Sequence, residues 1–128
     1  MTSRVVLDTS AVLALVFGEA GHERVTADGA GALMSAVSYS ETLAKCLDRG
    51  VPVTAAEAAL RTLQLTIIPF DSRHATVAAA LRFPTRAIGA SFAARACMAT
   101  AALARLPAMT SDRDWAKPTL GIELVLIR

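Results

Sequence analysis

Arg4-Val5-Val6-Leu7-Asp8-Thr9-Ser10-Ala11-Val12-Leu13 is the stretch that decides the fold. Arg4 to Leu7 is a short, β-branched apolar run that stops at Asp8. Thr9-Ser10 then opens a helical pattern from Ala11 to Phe17, so the segment reads as strand, turn, helix. A second helix is predicted over His22–Ala27, before Gly29 and Gly31 break the chain and Ala32-Leu33-Met34-Ser35-Ala36 offers a short strand. Ser38-Tyr39-Ser40-Glu41 fits a capping box that starts a helix running through Asp48-Arg49 to a stop at Gly50.

The pattern then repeats. Thr54-Ala55-Ala56-Glu57 is a second capping box, with a helix to Gln64 and an apolar strand over Leu65–Pro69. Asp71 caps a helix over Ser72–Leu81, and Pro84, Gly89 and Ser91 mark a loop and a new start. An Ala-rich helix follows to Arg105, where small side chains allow close packing. Leu106–Thr110 reads as a strand, Asp112–Trp115 as a short turn or helix, and Ile122–Ile127 as a last strand. Strands alternating with helices predict an α/β fold with a mostly parallel sheet, in one domain over 1–128. In such sheets ligands bind beyond the carboxyl ends of the strands, which selects Asp8 and Asp112.

Bulk composition narrows the classes. A net charge of +2 with no Lys or Arg run neither demands nor excludes nucleic acid. Cys46 and Cys97 sit in apolar helical contexts and read as buried hydrophobes, which argues against a disulfide scaffold. His22 and His74 stand alone, read as surface residues and offer zinc no cluster. The apolar run Val5–Phe17 is interrupted by Asp8 and too short to cross a membrane, so a reducing cytoplasm is the expected address. A hydrophobic content of 54% is high for a domain that must cover itself with polar groups, and predicts an apolar surface buried by a partner.

Each acid has a bland reading. Asp8 can cap the helix after it, Glu41 completes the Ser38 capping box, and Asp112 can cap a short turn with Asp114 solvated beside it. Together, however, the three lie at or just beyond strand carboxyl ends with no His or Cys near them. Clustered carboxylates raise one another's pKa or share a cation, and oxygen-only ligands suit Mg2+ or Mn2+. Such a centre activates water and offsets charge on a phosphodiester, which implies metal-dependent hydrolysis of a nucleic acid.

Val5-Val6-Leu7-Asp8-Thr9-Ser10-Ala11-Val12-Leu13, the Glu41 helix, Gly89-Ala90-Ser91-Phe92-Ala93-Ala94-Arg95-Ala96-Cys97-Met98-Ala99 and Thr110-Ser111-Asp112-Arg113-Asp114-Trp115 resemble, in order, the motifs of PIN-domain ribonucleases. The likeness is greatest to the VapC toxins of bacterial VapBC toxin–antitoxin pairs. The resemblance implies a three-layer α/β/α PIN-like fold and a Mg2+- or Mn2+-dependent endoribonuclease held in check by a VapB-type antitoxin. It makes Asp8 and Asp112 metal ligands, with Glu41 a ligand directly or through water. Thr9 and Ser10 stand beside the metal, Ser111 orients the Asp112 turn, and Asp114 and Arg95 are accessory. It further implies an RNA substrate, a homodimer, contact with DNA only through the antitoxin, and no membrane.

One position departs. In the family pattern Gly-x-Ser-x-x-Asp-Arg-x-Cys an Asp stands where this chain has Ala94. An acid is favoured there physically, because Ala94 is the third residue of a helix capped by Ser91. The chain therefore reads as a disarmed copy, and the intact Arg95-Ala96-Cys97 favours deliberate replacement over decay. A catalytically dead PIN-like module that binds RNA or a protein partner is the alternative. A receiver-like domain with Asp8 as phosphoacceptor lacks a convincing late lysine. Six aromatics give little stacking platform. Arg73, Arg82, Arg86, Arg95, Arg113 and Lys117 are candidate phosphate contacts, each more simply read as a solvated surface charge.

Overall fold

β1 (Val6–Leu7) lies at the middle of a five-stranded sheet, in a computed structural model that describes residues 4–128. The first three residues of the predicted domain lie outside the described residues. The remaining elements are α1 (Thr9–Phe17), α2 (His22–Asp28), β2 (Leu33–Ser35), α3 (Ala36–Asp48), α4 (Val53–Arg61), β3 (Thr66–Ile68), α5 (Ser72–Ala80), α6 (Phe92–Ala104), β4 (Ala108–Thr110) and β5 (Leu124–Leu126). The strands run in the order β3-β2-β1-β4-β5, and every pairing is parallel. Strand order therefore reverses beside β1, between the half that leads to β2 and the half that starts at β4.

The alternation of a strand's side chains assigns the layers. Leu7 of β1, Met34 of β2 and Met109 of β4 pack with Ala11, Val12 and Ala14 of α1, Val25 of α2 and Leu60 of α4. Val6, Leu33 and Ala108, their neighbours in sequence, face Cys97, Met98 and Ala101 of α6 and the Trp115 indole. A sheet covered on both sides needs apolar residues at successive positions, which explains why these strands read as continuous runs. The three-layer α/β/α architecture is the one expected.

Local signals were less exact. The cap of α3 is Ser35, whose Oγ accepts from the Val37 N–H, not Ser38. The helix starts directly off β2 with no loop, so the Ser35 hydroxyl reaches the first free amides before Ser38 can. α4 starts after Pro52, whose fixed φ suits a helix entry, and the Thr54 box is not used. β3 is an edge strand with Thr66 and Ile67 exposed, and not a buried run. His74 is half-buried at the surface: its side chain is 13% exposed, and Nδ1 lies 2.7 Å from Oδ1 of Asp71, the α5 cap. Cys46 and Cys97 are buried and unpaired.

Candidate active site

The carboxyl ends of β1 and β4 open into a cleft of about 340 Å3, lined by Asp8, Glu41, Ala94 and Asp112 among others. It lies at the point where strand order reverses, the usual ligand position in an open parallel sheet. The β1–α1 junction, α3, α6 and the turn after β4 each deliver one of the four.

Asp8 is the buried member, only 7% exposed. It holds the residue position of a cap on α1, but its side chain caps nothing. Oδ2 instead accepts from the Ser10 hydroxyl at 2.7 Å and from the Thr110 hydroxyl at 2.9 Å. The helix-cap reading is thereby removed for Asp8, and two hydroxyls fix its orientation. Thr9 looks elsewhere: its hydroxyl donates to the Ser38 carbonyl at 3.2 Å and ties α1 to α3. The Ser38 hydroxyl in turn donates to the Ala93 carbonyl at 3.3 Å, which sets the start of α6 beside α3.

Burial pushes the Asp8 carboxyl above its ordinary range, against the pull of the Ser10 and Thr110 hydrogen bonds. A carboxyl raised in the folded state stabilises the fold fully below its unfolded pKa, and that contribution is lost as pH rises through the folded value. Asp8→Asn stays neutral throughout. In chelator, it is expected to melt higher than the unaltered chain at about pH 7.5 and to lose the advantage at about pH 3. A lower melting temperature at the higher pH would show that the ionised Asp8 is well solvated.

Asp112 is exposed, and its Oδ1 accepts from the Asp114 N–H at 3.0 Å, so it does cap the turn Arg113–Ala116. Capping occupies one oxygen and leaves the residue in the cleft. Glu41 lies in the second turn of α3, where no capping box explains it, and pairs with Lys45 at 3.6 Å. Asp114 faces a separate cleft and pairs with Lys117 at 2.8 Å. Arg95 also points away, donating to the Ala78 carbonyl at 3.1 Å. Ser91 accepts from the Ala94 N–H at 3.1 Å, so Ala94 occupies the third position of a capped helix, as expected.

Thr110 is the residue that the motifs did not single out. Besides holding Asp8, its Oγ1 accepts from the Asp112 N–H at 3.1 Å, joining the two acids through one hydroxyl. Ser111 contributes its backbone N–H, which donates to Ser10 at 3.0 Å. A hydroxyl ending an otherwise apolar buried strand was the available signal. Thr110→Val leaves the Asp8 carboxylate and the Asp112 amide short of a partner, and is expected to cost about 1–3 kcal/mol in chemical denaturation. A loss below about 0.5 kcal/mol would mean that water replaces the hydroxyl.

Among the described residues no three His, Cys, Asp or Glu side chains are gathered closely enough to hold a metal ion. The donor chemistry, carboxylate oxygens at a hydroxyl-lined cleft, suits a hard divalent cation.

A doubly wound α/β domain with acids converging at its switch point defines a class, and a family model names it. The PIN domain model matches residues 5–119, and the chain belongs to that family. Its fold is similar to a chain of a toxin–antitoxin complex from Klebsiella pneumoniae (21% identity, 97% of this chain and 98% of that one, TM-score 0.77). It is also similar to chains of a DNA-bound VapBC from Salmonella typhimurium (16%, 98% and 99%, 0.70) and of VapBC-1 from nontypeable Haemophilus influenzae (13%, 96% and 97%, 0.71). No curated protein matches the chain by sequence.

Proposed function

We propose that the chain is a VapC-type toxin, a Mg2+- or Mn2+-dependent endoribonuclease whose catalytic centre is disabled at Ala94. The observation that carries this reading is the convergence of Asp8, Glu41, Ala94 and Asp112 on one cleft at the switch point of a PIN domain. Asp8 and Asp112 would hold the cation, with Glu41 directly or through water. A cation so held lowers the pKa of a water and offsets charge on the phosphodiester. The chain's own part is positional. Ser10 and Thr110 fix the Asp8 carboxylate, and Thr110 fixes the Asp112 backbone, so both acids are oriented before substrate arrives. Lys45 keeps Glu41 at the cleft's edge and supplies a positive charge there.

The neighbouring structures include a toxin–antitoxin complex and a DNA-bound VapBC, which supports a VapB-type antitoxin partner with any DNA contact made through it. Homodimerisation is expected to bury exposed apolar groups such as Leu47 and Ile67. One observation favours a second reading, a PIN-like module that binds without cutting: among the described residues the acids do not complete a metal-holding group. Growth separates the two. Inducing the Ala94→Asp chain in a bacterial host should slow growth and fragment cellular RNA, and adding Asp8→Asn should abolish both effects. Normal growth with intact RNA, from folded Ala94→Asp protein, would favour the binding module.

A further inference from the structure

Beside the acid cleft lies a second one, of about 200 Å3, lined by Arg82, Thr85, Arg86, Gly89, Ala90 and Arg95. Gly89 and Ala90 line both, so the two clefts adjoin at this two-residue saddle. Gly89 has φ +62°, and a Cβ there would meet nothing within 4 Å, so the saddle is open as well as tightly turned. None of the three arginines is within ion-pair distance of a carboxylate among the described residues.

Three arginines without a carboxylate partner line one small cleft, a gathering of positive charge that an anion would offset. Two are already held in place. Arg95 is anchored by the Ala78 carbonyl and has its guanidinium 5.9 Å from the Phe92 ring centroid. Arg86 lies 4.8 Å over the Phe83 ring. Planar forks fixed in this way suit a phosphate, which accepts several N–H bonds at once. Phe83 and Phe92, the rings under Arg86 and Arg95, are 74% and 52% exposed and leave aromatic surface beside these arginines for a base to stack on.

We infer that the Arg82–Arg86–Arg95 cleft is a phosphate subsite for single-stranded RNA, holding a phosphate that flanks the one presented to the acid cleft. The inference rests on the nuclease reading, and adds to it a path along which the strand crosses the Gly89–Ala90 saddle. An acidic protein segment would satisfy the arginines but would use neither the exposed rings nor the closeness of the acid cleft.

The unaltered chain allows a clean test, because binding can be read in chelator without cleavage. Fluorescence anisotropy with a short labelled single-stranded RNA should show Arg82→Ala/Arg86→Ala binding at least about tenfold more weakly at low salt. The slope of log affinity against log salt should fall by about 0.7, the amount expected when one phosphate of a single strand is no longer neutralised. Arg82→Lys/Arg86→Lys should recover most of the slope, Phe83→Ala should weaken binding with the slope unchanged, and Arg24→Ala, remote on α2, should do neither. All the arginines replaced are exposed, so folding is not at stake. RNAs with and without a 5′ phosphate distinguish an internal phosphate, affected equally in both, from a terminal one. If the double variant binds RNA as the unaltered chain does, the subsite is wrong and the nuclease reading survives. The same holds if only a Glu-rich peptide loses affinity. If the unaltered chain binds no RNA, the nuclease reading falls and the subsite falls with it.

Discussion

Ala94→Asp is expected to raise cleavage of single-stranded RNA by about 10²–10³-fold over the unaltered chain, the size of effect that one well-placed electrostatic group has on a transition state. Attack on a phosphodiester builds negative charge, and the cleft counters it only when a cation is held where charge develops. Asp8 and Asp112 are already oriented by Ser10 and Thr110, so on the proposed reading the substitution adds a ligand to an existing framework. Position 94 is the third residue of a helix capped by Ser91, where an acid is welcome, so the substitution should fold. In chelator the new carboxylate adds repulsion against Asp8, and the variant should be no more stable than the parent. Magnesium should stabilise it clearly more than it stabilises the parent. A further Asp8→Asn should return cleavage to the parental level; an Ala94→Asp protein that leaves RNA intact with metal bound would place catalysis elsewhere.

The largest loss of stability is expected at Trp115. Its side chain is 1% exposed and packs with Val6, Leu33, Cys97, Met98 and Ala108 on the α6 side of the sheet. Removing an indole from such a place costs about 3–5 kcal/mol, because the transfer free energy is lost and a cavity remains. That is a large part of the roughly 5–15 kcal/mol that holds a domain together. Trp115→Ala should therefore lower the melting temperature by on the order of 10 °C or more. Trp115 also belongs to the turn that Asp112 caps and lines the acid cleft, so RNA cleavage by Ala94→Asp should weaken in this background even where the protein remains folded. A shift of only a few degrees would mean that neighbouring side chains close the space.

The stretch Arg4–Leu13 carried most of what the sequence could say about the fold. A buried parallel strand must be apolar at consecutive positions, and an acid at its carboxyl end stands out against that background. The same contrast made Asp112 visible after β4. Helix starts were harder to read, because Ser and Thr are common and only the three-dimensional course of the chain decides which hydroxyl meets a free amide: Ser35 did, Ser38 and Thr54 did not. That correction matters for function, since it frees Glu41 from a capping role. The double role of Thr110 and the grouping of Arg82, Arg86 and Arg95 were harder to read for a different reason. A hydroxyl that serves two acids a hundred residues apart, and three cations drawn together around a glycine saddle, are properties of packing that no local pattern encodes.

The central claim is that the cleft is a divalent-cation site short of one carboxylate. Calorimetric titration with Mn2+, run side by side on the unaltered chain and on Ala94→Asp, tests it most directly. Weak binding by the unaltered chain, at least about tenfold tighter binding by the variant, and loss of both on Asp8→Asn are expected, since hard cations depend on the number of charged ligands. Equal affinities for the two chains, or affinity that survives Asp8→Asn, would contradict it.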